Sequence, residues 1–196
     1  CSLGADWAAG NGFLDVVCDL RQNDIHCTSY GADGAATNGH VDIIRDLRAH
    51  GIHCDSGPSS AASRGQLAVI QDLRDHGIHC THHDADLAAE CGHLHVIRDL
   101  RAHRINCTTA GANMAAMNGF KSIIHDLREH GIHCDHNGAA LAAENGLLDI
   151  VEDLYHHGIN CEPAADCAAA YGFDDIVRFL TEHGVDPTSD LINRSI

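Results

Sequence analysis

The side chains best suited to chemistry are the 18 histidines and 10 cysteines of this 196-residue chain. Three groups read His-x-x-His-Cys: His50, His53 and Cys54; His76, His79 and Cys80; His130, His133 and Cys134. Imidazole and thiolate are the donors that zinc and copper accept, so binding of a transition metal by these columns is one reading. Geometry opposes it. Adjacent His and Cys on an extended segment point to opposite sides, and a structural zinc needs about four converging ligands. Asn106 and Asn160 also stand where the second His of the pattern would be. No cofactor is therefore expected.

Nucleophilic catalysis needs one differentiated Cys or Ser with a base and an oxyanion pocket. Here Cys and His recur along the whole chain instead. No phosphate-cradling Gly-rich loop and no zinc-protease motif is present. The chain is not expected to be an enzyme.

The recurrence itself defines the elements that hold these residues. Cys27, Cys54, Cys80, Cys107, Cys134 and Cys161 follow one another at steps of 27, 26, 27, 27 and 27 residues. Each unit reads x-Ala-Ala-x-x-Gly followed by an apolar-periodic stretch, as in His40–His50. One glycine column (Gly12, Gly39, Gly65, Gly92, Gly119, Gly146, Gly172) suits the turn between two short helices. A second, with Asp24 and Arg104 as exceptions, ends the second helix. Val41, Ile44 and Leu47 give that helix a one-sided stripe, and the Ala-Ala pairs let first helices pack closely. One such pair cannot bury its own apolar face, so stacking must supply the core. The expected fold is all-α: an α-solenoid of about seven stacked helix-turn-helix repeats.

The repeats fall at about 4–27, 31–54, 58–80, 84–107, 111–134, 138–161 and 165–187, with a C-terminal cap or tail at 188–196. Together they read as a single repeat domain over 1–196. Cys1–Gly4 matches the tail of a repeat, so the chain reads as a window of a longer array. Column cysteines a helix spacing apart exceed the ~7 Å Cα limit of a disulfide. Reduced, buried thiols and a cytoplasmic, reducing compartment are expected.

Ala142–Val151 (AAENGLLDIV) and Asp175–Pro187 (DIVRFLTEHGVDP) resemble the ankyrin-repeat family, and the resemblance spans about residues 4 to 187. It implies a protein-binding scaffold. An ankyrin unit has ~33 residues, whereas these have about 27. The missing stretch is where the family places its β-hairpin finger. The resemblance therefore implies a shortened, ankyrin-like repeat without the finger.

Asp19, Asp46, Asp72, Asp99, Asp126 and Asp153 form a ladder in the second helices, with Phe179 in its seventh place. Arg21, Arg48, Arg74, Arg101 and Arg128 follow two residues later. Residues i and i+2 of a helix do not face each other, so any Arg–Asp pairing must join different repeats. His50, His76, His103, His130, His157 and His183 lie in the last turn, where a ring can bond free carbonyls.

With these columns assigned to the scaffold, binding falls to variable positions on the loop edge and the first helix: Trp7, Tyr30, His82, His83, Thr109, His136 and Asn137. The net charge of −16 favours a basic surface on another protein and speaks against phosphate backbones. No nucleic acid and no membrane are expected as partners.

Overall fold

The computed structural model describes residues 1–188, and these hold fourteen α-helices and no strand. First helices are α1 (Ser2–Gly10), α3 (Ser29–Asn38), α5 (Gly57–Ser63), α7 (His82–Glu90), α9 (Thr109–Met117), α11 (His136–Glu144) and α13 (Glu162–Tyr171). Second helices alternate with them: α2 (Leu14–Gln22), α4 (Val41–Ala49), α6 (Leu67–Asp75), α8 (Leu94–Ala102), α10 (Lys121–Glu129), α12 (Leu148–His156) and α14 (Asp174–Glu182). This is the expected all-α helical-repeat solenoid. The cap expected at 188–196 lies outside the described residues from 189 onward.

The chain forms two compact units, Cys1–Ala88 with His95–Asn106 and Ala89–Leu94 with Cys107–Ile196. Within the first, α1, α3 and α5 pack side by side, and each carries its second helix on one flank. Within the second, α9, α11 and α13 do the same, and α12 packs on α14.

The local reasons are the same in every repeat. Alanine pairs such as Ala35–Ala36 and Ala142–Ala143 are fully buried between first helices. Their short side chains let the backbones approach until a Cβ on Gly34 would sit 3.2 Å from Gly10 Cα. Second helices bury Ile43, Ile44 and Leu47 and their counterparts. The expected stripe is thus shifted: Val41, at the first helical position, is only half-buried, and Ile43 takes its place in the core.

Each second helix ends in the same way. The amide two residues past the end donates to a carbonyl five residues back, as in Ile52→Leu47 at 3.0 Å and Ile132→Leu127 at 3.0 Å. The residue between them must be left-handed, and Asp24 (φ 58°) and Arg104 (φ 65°) adopt that conformation without being glycine.

Candidate functional site

The loop edge is tied down by first-helix polar side chains. Asp6 accepts the Thr28 amide at 2.7 Å and its hydroxyl at 2.9 Å. Asp33 accepts the Ser56 amide at 2.9 Å, and Asp166 the Thr188 amide at 2.7 Å. Asn113 exchanges bonds with Asp135, donating at 2.9 Å and accepting the Asp135 amide at 3.1 Å. The clamped residue is itself a helix cap: Thr28 accepts from the Tyr30 amide, and Asp135 from that of Asn137. Each clamp therefore fixes where the next first helix begins.

Sequence reasoning missed this ladder, although its signal was available. Asp6, Asp33, Asp86, Asn113 and Asp166 all stand two residues before the Ala-Ala pair.

Every position assigned to binding on the loop edge is exposed. In the first unit Trp7, His82 and His83 are open to solvent, and Tyr30 is 81% exposed. In the second unit Thr109, His136 and Asn137 are exposed as well. Each sits within a residue or two of a loop or in the first helix that follows it. The backbone beneath them is fixed while their side chains are free.

The Asp column of the second helices is structural. Arg21 reaches Asp46 at 2.5 and 3.0 Å, Arg48 reaches Asp72 at 2.7 Å, Arg74 reaches Asp99 at 2.7 Å, and Arg128 pairs with Asp153. Each arginine thus pairs with the aspartate of the following repeat. Burial opposes ionisation of Asp72, but hydrogen bonds from Arg48 and Arg45 outweigh it and hold the carboxyl below its ordinary range. Asp99 is lowered in the same way by Arg74 and Gln71 against its burial. The hydrogen bond to Asp46 raises Arg21.

Where Phe179 takes the Asp position, Tyr155 takes the matching Arg position. The two rings meet edge-on, their centroids 5.7 Å apart. One rung of the ladder is thus aromatic instead of ionic.

The histidine column caps its own helices. Nδ1–H of His50, His76, His103, His130, His157 and His183 donates to the carbonyl four residues back at 2.6–2.8 Å. That carbonyl fixes the tautomer, since it can only accept.

Metal ligation by His50, His53, Cys54, His76, His79, Cys80, His130, His133 and Cys134 is not what the geometry assembles. Among the described residues no three His, Cys, Asp or Glu side chains converge on a point. Burial, the largest influence, pushes the thiols up to about 11 in Cys54 and Cys134 and about 12 in Cys80, so they stay protonated. The cysteines are free, not disulfide-bonded.

One cavity of about 180 Å³ lies beside Arg48, His53, Cys54 and Leu73. Ligand pockets begin at roughly 300 Å³, so it offers no substrate site. No described helix is long and apolar enough to cross a membrane.

No family model matches the sequence, and no curated protein matches it. Solved structures do. The chain is similar to the pentatricopeptide repeat protein PPR10 from maize, with a TM-score of 0.50 and 11% identity over 96% of this chain and 35% of that one. PPR10 in complex with an 18-nt psaJ RNA element matches at a TM-score of 0.38 and 12% identity, over 96% and 39% of the two chains. A variant of that complex with cysteines replaced by serine gives the same figures. The chain thus spans little more than a third of the solved chains it matches.

The likeness establishes a helical-repeat solenoid, the architecture of a repeat-based binding module. It does not establish the ankyrin family: the matching repeats are of another helical type. It also corrects the expectation of another protein as partner with nucleic acid excluded. A helical-repeat protein to which this chain is similar was solved holding RNA. The exclusion summed charge over the whole molecule, whereas recognition depends on the side chains of one edge, and there the exposed groups are rings, amides and hydroxyls.

Proposed function

We propose that the chain is a non-enzymatic, repeat-based binding module whose ligand is single-stranded RNA, held along the loop edge with successive repeats contacting successive stretches of the strand. The observation that carries this reading is the contrast between a clamped backbone and free side chains on that edge. Trp7, Tyr30, His82, His83 and His136 offer faces for stacking on bases, while Thr109 and Asn137 offer hydrogen bonds to base edges. The RNA complex of PPR10 supports the choice of ligand class. The free, buried thiols support a reducing, cytoplasmic setting.

The charge pattern sets how such binding would behave. Arg21, Arg48, Arg74 and Arg128 are committed to carboxylates and cannot neutralise phosphates without breaking a rung. With a net charge of −16, affinity should come from base contacts and should not fall steeply with salt as it does for basic proteins. The test is fluorescence anisotropy of a labelled random single-stranded RNA pool, titrated at low, physiological and high salt. The expected result is binding competed by single strands and not by duplex, with little loss as salt rises. Replacing His82 and His83 by Ala should weaken it about fivefold or more, the low end of one lost base stack. Absence of binding at every salt concentration, with the helical circular dichroism intact, would refute the reading.

A further inference from the structure

Three inter-repeat connectors have no partner at the α1–α2 end of the first unit. Val16 is 45% exposed, while the same position in the six later repeats (Ile43, Val69, Val96, Ile123, Ile150, Ile176) is 0–1% exposed. Asp19 is exposed and receives no hydrogen bond, although the aspartates at its position in later repeats accept from arginines of the repeat before. Phe13 is 47% exposed. Its counterparts cover the left-handed glycine of the preceding repeat: His40 lies over Gly12, Phe120 over Gly92 and Phe173 over Gly146.

The matching halves of two of these connectors stand free at the α13–α14 end of the second unit. Nothing lies within 4 Å of a Cβ placed on Gly172, the last glycine of that column. Arg178 is exposed and occupies the position from which Arg45 reaches Asp72 at 2.5 Å and Gln71 reaches Asp99 at 3.1 Å. The unused acceptor at one end and the unused donor at the other belong to the same contact.

We propose that the α2 face of the first unit docks the α13–α14 end of a second copy of this chain. In this head-to-tail contact Phe13 covers Gly172 of the second copy, Val16 is buried, and Asp19 accepts from Arg178 of that copy. The contact continues the inter-repeat interface already used within each unit. Its two faces differ, so it is heterologous, and each associated pair keeps one free head and one free tail.

The test is sedimentation equilibrium of the full chain over a wide concentration range, with Val16→Arg to block the head and Arg178→Glu to block the tail. Both positions are exposed, so the variants should keep the wild-type circular dichroism. Wild type should show an average mass that rises with concentration. Each variant alone should associate at least about tenfold more weakly, from a buried charge in one and from repulsion of Asp19 in the other. An equimolar mixture should form a one-to-one heterodimer, because the intact tail of the first variant meets the intact head of the second. A wild-type chain monomeric at every concentration overturns the proposal. So does Arg178→Glu dimerising like wild type, which would mean two heads meeting, or a mixture that stays monomeric.

Discussion

The ladder of arginines and aspartates contains its own control, because one natural rung is aromatic. Tyr155 and Phe179 occupy the positions that Arg48 and Asp72 occupy between α4 and α6. The side chain of Asp72 is 1% exposed and that of Arg48 15%, whereas Arg45, the other donor to Asp72, is 64% exposed. Asp72→Phe should therefore strand one buried guanidinium and release one solvated one. Breaking a buried ion pair from one side costs about 3–5 kcal/mol. The residual exposure of Arg48 and the small value of exposed pairs reduce the expectation here to about 2–3 kcal/mol. Arg48→Tyr alone should cost about the same, since it leaves the Asp72 carboxylate with Arg45 only.

The double variant recreates the aromatic rung. An edge-on aromatic pair contributes about 0.5–1.5 kcal/mol beyond its buried area, and replacing a buried ion pair by apolar groups is often neutral. The double variant should thus lie within about 1 kcal/mol of wild type, giving a coupling energy of about 2 kcal/mol or more. Urea unfolding followed by circular dichroism measures all four corners of the cycle, provided the m-values agree. Additive losses, with the double variant the least stable of the four, would refute the view that the ladder acts through pairing across repeats.

Acid should act through the same rungs. The folded-state pKa values of Asp72 and Asp99 are lowered, so their stabilisation is complete above the ordinary carboxylate value of ~3.9 and is lost as pH falls through the folded values. Urea midpoints should stay level on this account down to about pH 4 and then drop, and Asp99→Asn should flatten the drop. Thiol labelling at pH 8 should modify the exposed Cys1 and Cys91 and leave Cys80 (about 12), Cys134 (about 11) and Cys161 (about 11) untouched until urea unfolds the chain. Peptide mapping reads the order, and early labelling of Cys80 would contradict its burial. Arg104→Gly should raise stability by about 0.5–1 kcal/mol in the same urea assay, because a left-handed residue with a Cβ costs about 1–2 kcal/mol and glycine returns part of that in chain entropy.

The repeat, the two helices in each unit and the left-handed turns were legible because they depend on local spacing. A glycine, or Asp24 and Arg104 in its place, marks each second-helix end whatever lies around it. The inference that Arg–Asp pairs must cross repeats was also available, since i and i+2 on one helix diverge. The core stripe was misplaced by two residues because Val41 and Ile43 are equally apolar, and only packing decides which faces inward. The Asp6 and Asp33 clamps went unread because they hold residues 22 and 23 positions away, a relation that no local pattern contains.

By itself the sequence determined the all-α repeat and the character of each column, because periodicity and backbone conformation are properties of the chain. Only the tertiary structure decided that the histidines cap helices instead of gathering a metal, that the loops are clamped, and which connectors are left without partners. Those outcomes depend on which side chain of one repeat arrives opposite which side chain of the next. That depends on how closely alanine lets neighbouring backbones approach, a distance set only when the helices stack.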